Sequence, residues 1–284
     1  MSDGVPPREL LADAAARLAD AGVASPRVDA ELLLAHLLGI HRGRLLLLDD
    51  VPPAVVHEYD ALVARRAARE PLQHLTGVAH FRRVELAVGP GVFVPRPETE
   101  LLAGWAIERA GEVAGRTPVV VDLCTGSGAI AKAVADEVPS ARVVAVELDP
   151  AAARWAARNL SGTGVDLRVG DMATAADDLA GGVDVVVCNP PYIPLEAWES
   201  VALEARDHDP ELALFSGADG LEAMRVLEAT ASRLLRRGGY VGAEHAEVQH
   251  EAAPAVFGAT GRWLEVRDHR DLAGRARFLT ARLG

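Results

Sequence analysis

The sequence predicts an α/β protein: a mixed sheet of seven strands with helices on its faces, preceded by a small all-α bundle and a β-hairpin linker. Three observations lead there. Four apolar, mostly β-branched runs (118–123, 142–149, 166–169 and 183–188) each stop at an acid, a turn or a proline, as strands buried on both faces do. Helical patterns separate most of them, which calls for parallel strands joined by crossovers. The first 70 or so residues, by contrast, show helical spacing only. We therefore expect a helical docking domain over 1–75, a hairpin linker over 76–95 and a catalytic α/β domain over 96–284.

Composition narrows the choice. The 284 residues are half hydrophobic and carry a formal net charge of −12. That charge disfavours a nonspecific nucleic-acid or membrane surface. Lys132 is the sole lysine, and arginine supplies nearly all positive charge, which reads as coding bias. No basic leader precedes an apolar stretch, and no run is long enough to span a bilayer. The two cysteines lack metal-ligand spacing, so we expect a cytoplasmic protein without a disulfide framework or a metal site.

Residues 8–22 place Leu10, Leu11, Ala14, Ala15 and Leu18 at helical spacing, with Gly22 as the stop. Ser25 and Pro26 suit the N-cap and first turn of a second helix, which ends near Gly39. A short third helix is expected over 42–48 and a fourth over 53–70. Nothing in this part converges on chemistry, so it either only packs or docks a macromolecule.

From Glu70 the texture becomes alternating, with Gly77, Gly89 and Gly91 as punctuation, hence the hairpin. In Val94-Pro95-Arg96-Pro97-Glu98-Thr99-Glu100 two prolines hold Arg96 extended, and the acids suit the start of the next helix. A site-lining role is expected for this loop. The run ending at Asp122 and Leu123 then turns through Cys124-Thr125-Gly126-Ser127-Gly128-Ala129 into an apolar helix. Glycines there let a ligand approach the main chain near a helix N-terminus. The spacing fits neither the G-x-G-x-x-G dinucleotide fingerprint nor a P-loop. About 20 residues on, Glu147 ends a strand where a carboxylate can grip the two hydroxyls of a ribose; Asp149 suits the next helix cap. Asp171 and Met172 follow the third strand, an acid to accept an exocyclic amine and a thioether to lie on its ring. Farther on, a helix is expected over 221–235, broken by Gly238-Gly239, then a fifth strand over 240–245 and a terminal hairpin over 263–266 and 276–281. Glu244 and His245 end the fifth strand, a position that can border the site, but a lone histidine there is more often structural and neither is assigned a role.

The most informative stretch is Asn189-Pro190-Pro191-Tyr192, closing the fourth strand. The prolines fix the chain, so the Asn189 side chain is presented at a strand's carboxyl end. Its side-chain oxygen and the Pro190 carbonyl are two acceptors that can take both hydrogens of one planar NH2 group. Tyr192 can lie against the plane. Such a grip orients the lone pair of an amide or an aromatic amine toward an electrophile.

These residues resemble a known family. Asp122 to Gly128 is similar to the AdoMet-binding loop of Rossmann-like methyltransferases, and Asn-Pro-Pro-Tyr to their amide- and amine-methylating branch. Glu70-Pro71-Leu72-Gln73, residues 94–100, the helical N-terminal part and Asp271-Leu272-Ala273-Gly274-Arg275 narrow the resemblance to the HemK/PrmC family, the protein-(glutamine-N5) methyltransferases. It implies S-adenosyl-L-methionine as donor, S-adenosyl-L-homocysteine as product, and the Gly-Gly-Gln glutamine of class-1 peptide chain release factors as substrate. Separately, we expect a monomer, and the charge and hydropathy argue against a direct nucleic-acid or membrane partner. Carried over by position, Cys124, Thr125, Gly126, Ser127, Gly128 and Ala129 form the methionine-side loop and Glu147 takes the ribose. Asp171 and Met172 border the adenine. Asn189, Pro190, Pro191 and Tyr192 hold the glutamine, with Phe93 as a wall and Asn189 also near the donor. Cys124 stands where the family often has glycine, and Met172 where an aromatic is common. The fold it implies sets strands one and four side by side, so that Cys124 and Cys188 end adjacent strands. Two other readings use the same motifs: an adenine-N6 methyltransferase of DNA or RNA, disfavoured by the acidic charge, and a non-catalytic AdoMet-binding regulator.

Overall fold

The computed structural model describes residues 4–200 and 203–284. The chain forms two compact units, residues 4–78 with 203–208, and residues 79–200 with 209–284.

In the first unit, helices Pro7–Asp20, Pro26–Leu38 and Pro53–Ala67 pack around Leu11, Leu18, Leu33, Leu34, Tyr59 and Val63. Each begins with proline, which suits the first turn because its missing N–H has no helical partner there anyway. The third helix stops at Ala67, three residues before its expected end, and the chain turns through Arg69 at φ 69°. A short helix, Leu72–Thr76, follows where alternation pointed to extended chain. Residues 42–47 form a 3₁₀ turn. Buried Arg66 donates to Asp29 at 2.8 Å, and Arg66 and Arg69 both donate to Glu204 of the helix Leu203–His208.

From Ala79 the second unit opens with a hairpin of strands β1 (Val78–Phe81) and β2 (Val84–Ala87). The sheet follows: β3 (Val119–Leu123), β4 (Arg142–Glu147), β5 (Asp166–Val169), β6 (Val183–Cys188), β7 (Leu235–Glu244), β8 (Trp263–Arg270) and β9 (Ala276–Leu283). Their spatial order is β5-β4-β3-β6-β7-β9-β8. The first five are parallel, and β9 runs antiparallel to both its neighbours. The expected seven-stranded mixed sheet is therefore present. Its central strand, β6, is buried at every position. Helices Thr99–Gly111, Ala129–Glu137 and Pro150–Leu160 cover one face around Leu102, Ala106, Ile130 and Ala156. Helices Glu222–Leu234 and Ala252–Gly258 cover the other around Met224, Leu227 and Phe257.

Contrary to expectation, Gly238-Gly239 does not break the helix ahead of the fifth strand. The helix ends at Leu234, β7 starts at Leu235, and the glycines lie inside the strand, where its pairing with β6 shifts register between Leu235 and Tyr240. Glycine inside a strand marks such an irregularity, and sequence cannot tell it from a stop.

From β3 the chain winds outward to β4 and β5, then returns to place β6 on the other side of β3. The carboxyl ends of β3 and β6 thus flank the point where strand order reverses, which is where open α/β sheets bind ligands.

Candidate active site

A cavity of about 530 Å³ opens at that point. Cys124 and Gly126 after β3, Glu147 at the end of β4, and Asp171 and Met172 after β5 border it. Asn189, Pro191 and Tyr192 after β6 close its other side, with Phe93. Nine of the fourteen residues singled out from sequence therefore meet at one cavity. The remaining five, Thr125, Ser127, Gly128, Ala129 and Pro190, are buried and do not line it.

The glycine loop is a tight left-handed turn. Cys124, Gly126 and Gly128 have φ of 58°, 57° and 85°. At Gly126 a Cβ would meet none of the described residues within 4 Å, so the main chain faces open space. Thr125 holds the turn from beneath: its N–H donates to the Val146 carbonyl at 2.9 Å and its hydroxyl to Asp122 at 2.5 Å. Cys124 takes a conformation that costs an L-residue roughly 1–2 kcal/mol, which explains why glycine is at home there. Its sulfur lies 3.8 Å from that of Met172. Cys188 pairs with Leu123 across β3 and β6 and is fully buried, and burial and its hydrogen bond with Cys124 raise its thiol pKa.

Glu147 is buried, and its carboxylate accepts from the main-chain N–H of Gly126 at 2.8 Å and of Asp149 at 2.9 Å. Burial outweighs these bonds and raises its pKa. Asp149 caps the helix Pro150–Leu160 through the Ala151 N–H, as expected. Exposed Asp171 closes a turn by accepting from the Ala173 N–H.

The stretch after β6 is fixed from several sides. Tyr192 and Ile193 donate their N–H groups to the Leu214 carbonyl, and Ser216 donates back to the Ile193 carbonyl. The buried Gln249 amide donates to the main-chain oxygen of Tyr192 at 3.0 Å. Gly220 is glycine of necessity here, because at φ 73° a Cβ would sit 2.4 Å from that same oxygen. Asn189 donates its Nδ2 to the Thr99 hydroxyl at 3.4 Å, and Thr99 donates to Glu244 Oε2 at 2.7 Å. Tyr192 donates its hydroxyl to the other oxygen of Glu244 at 3.3 Å. Burial pushes the Glu244 carboxyl up to about 7, against the lowering effect of both hydroxyls. His245, next in sequence, turns away from this network. Its ring nitrogens meet Asp268 and the Ala246 carbonyl at 2.9 Å each.

Sequence reasoning missed one wall. Pro210 and Leu212 to Gly217 line the cavity opposite the glycine loop, and a single parallel bridge, Ile193 to Phe215, ties them to the stretch after β6. The helix Glu211–Leu214 is one turn long, too short to leave a periodic signal. The run Ser216–Gly220 is a readable turn cluster, yet its target is not. Arg96 does reach the border: its guanidinium lies over the Phe93 ring and donates to buried Asp209 at 3.0 Å.

A mixed sheet in this order, with a glycine turn after one strand, a carboxylate ending the next and Asn-Pro-Pro-Tyr ending the fourth, defines a Rossmann-like methyltransferase. Comparison with known proteins agrees. Residues 9–77 match the family model of the PrmC N-terminal domain and residues 106–205 that of the methyltransferase small domain. A release factor glutamine methyltransferase of Streptomyces coelicolor is 59% identical over 96% of both chains. A 4-amino-L-phenylalanine/4-methylamino-L-phenylalanine methyltransferase of Streptomyces pristinaespiralis is 44% identical, over 90% of this chain and 88% of that one. Among solved structures, the hMettl16 catalytic domain in complex with an RNA hairpin superimposes with a TM-score of 0.53 at 15% identity, covering 70% of this chain and 75% of that one, a likeness of fold alone. The chain belongs to the release factor glutamine methyltransferase family.

Proposed function

We propose that this enzyme transfers a methyl group from S-adenosyl-L-methionine to N5 of the glutamine in the Gly-Gly-Gln motif of class-1 peptide chain release factors. The observation that carries the reading is that Asn189, Pro191 and Tyr192 close the same cavity as the glycine turn and Glu147, with Pro190 buried between them. One half of the cavity suits the donor and the other an NH2 group.

The residues fit the donor. The open main chain at Gly126 leaves room for its methionine end, with Cys124, Thr125, Ser127, Gly128 and Ala129 shaping the turn. The Glu147 carboxylate suits the ribose hydroxyls, and Asp171 and Met172 suit the adenine. When bound, the donor supplies a methyl group already activated by a positive sulfur. The protein then has to position a poor nucleophile. Asn189 Oδ1 and the Pro190 carbonyl accept the two hydrogens of the glutamine amide, and Tyr192 and Phe93 flank its plane. Holding both hydrogens turns the nitrogen lone pair toward the methyl group, and the two acceptors favour the positive charge that grows on nitrogen during attack. The proton leaves afterward, from a nitrogen made acidic by the new bond, so no strong base is required.

The helical unit, with no convergent chemistry of its own, serves as the docking element for the protein substrate. A protein target accords with the net charge of −12 better than a flipped base does. The enzyme works as a monomer, and its low cysteine content, two residues without metal-ligand spacing, suits the cytoplasm. Among the described residues no helix is long and apolar enough to cross a membrane.

The test is transfer of labelled methyl to purified release factor, to a Gly-Gly-Gln glutamine-to-alanine version, to duplex DNA and to 4-amino-L-phenylalanine. Label on the intact factor alone is expected. Label only on DNA or the aromatic amine overturns the substrate.

A further inference from the structure

Glu244 is buried, sits at the end of β7 beside β6, and is used by none of the steps above. Its two oxygens reach both halves of the substrate grip. Resting on the reading of Asn189 as the amide acceptor, we infer that Glu244 is a positioning residue. Through Thr99 it fixes which end of the Asn189 amide faces the cavity, and with its second oxygen it fixes Tyr192.

Hydrogen-bond polarity decides the orientation. An asparagine amide has two orientations of nearly equal shape, and only one presents Oδ1 to a substrate NH2. Once ionised, above about pH 7, the Glu244 carboxylate is an acceptor only, so the Thr99 hydroxyl, 2.7 Å away, gives it its single hydrogen. Thr99 then has only lone pairs left for Asn189, 3.4 Å away, and calls for the NH2 end. The flipped amide would set oxygen against oxygen beside a buried hydroxyl, where water cannot relieve it. Oδ1 is therefore left for the cavity. Tyr192, 3.3 Å from the other carboxylate oxygen, is held by the same anchor. Thr99 stands at the start of the helix Thr99–Gly111, after the Pro95-Arg96-Pro97 loop. That gives the loop a task its sequence did not disclose.

Three variants test the relay on the full-length enzyme. Thr99→Val keeps shape and removes the hydroxyl; Thr99→Ser keeps the hydroxyl; Glu244→Gln removes the acceptor-only character. Expected are a loss in kcat of roughly 10- to 100-fold for Thr99→Val and Glu244→Gln, retention of kcat within about threefold for Thr99→Ser, and S-adenosyl-L-methionine affinity close to wild type in all three. The double variant should be little worse than the worse single one, because the groups act as one unit. Wild-type kcat in Thr99→Val, or an equal loss in Thr99→Ser and Thr99→Val, would overturn the relay. A second measurement needs no methyl acceptor, and so separates this inference from the choice of substrate. In nuclear magnetic resonance of the free protein, the side-chain NH2 hydrogens of Asn189 should exchange slowly with solvent in wild type and Thr99→Ser, and at least ~10-fold faster in Thr99→Val. Equal exchange in all three would refute the positioning role, whatever the enzyme methylates.

Discussion

The two ends of the central sheet treat buried acids in opposite ways. At the amino-terminal end, Asp184 near the start of β6 is 1% exposed and is met by Arg116, Arg236 and the Val119 N–H. Burial alone would raise its pKa, but those three partners outweigh it and the carboxyl lies below its ordinary value. At the carboxyl end, Asp122 is also 1% exposed. One of its oxygens accepts from the Thr125 hydroxyl and the Ala131 N–H; the other has no hydrogen-bond partner among the described residues. Burial raises it to about 7. Glu244, two strands away, is raised to about 7 for the same reason. Equal burial with and without cations separates an acid that ties strands together from acids kept beside a ligand site, where a permanent ion pair would occupy the group.

The largest effect that sharpens this contrast is the pH dependence of stability. Asp122 and Glu244 bind protons more tightly folded than unfolded. Their contribution is fully present below about pH 4 and is lost as pH rises through about 7. Each tenfold gain in proton affinity on folding is worth roughly 1.4 kcal/mol, so each group accounts for on the order of 3 kcal/mol between those limits. Urea unfolding of the protein without donor should show stability falling from about pH 5 to about pH 8, and Asp122→Asn should flatten the fall. An unchanged slope in that variant would remove Asp122 from the contrast. Asp184 works in the other direction: its contribution is present above the ordinary carboxyl range and lost as pH falls through its lowered value. Asp184→Asn should cost about 1–2 kcal/mol near neutral pH, since both arginines are two-fifths exposed and can return to water. Methyl transfer per folded molecule should stay as in wild type; a tenfold loss would mean that the two ends of the sheet are not independent. The smallest effect concerns the glycine turn. Cys124→Gly relieves a left-handed residue and should add up to about 1 kcal/mol by urea midpoint. A net destabilisation instead would show that the contacts of Cys124 with Met172 and Cys188 matter more than its strain.

The sheet was legible because each strand carries its own signal. The run Val183 to Cys188 is apolar or β-branched at nearly every position, and Pro190 and Pro191 end it. The cavity's strand-end residues were legible for the same reason, since a glycine turn, Glu147 and Asn189 each follow a recognisable strand. What escaped lies in pairings between distant segments. Thr99 reads as the start of a helix, and only the fold sets it between Asn189, 90 residues away, and Glu244, 145 residues away. The wall from Pro210 to Gly217 is assembled from one helical turn and one bridge, too little regular structure to mark the sequence. Gly238-Gly239 reads as a stop and is a strand irregularity, a distinction fixed by the register with β6 and not by the glycines.

The measurement that tests the central claim most directly is methyl transfer by Asn189→Ala, with S-adenosyl-L-methionine affinity measured on the same preparation. If the Asn189 carbonyl holds the reacting NH2 group, turnover falls by roughly 10²–10³-fold or more while the donor still binds, somewhat more weakly. Turnover within a few fold of wild type, with donor affinity intact, would contradict the account and leave the grip on the substrate to other groups in the cavity.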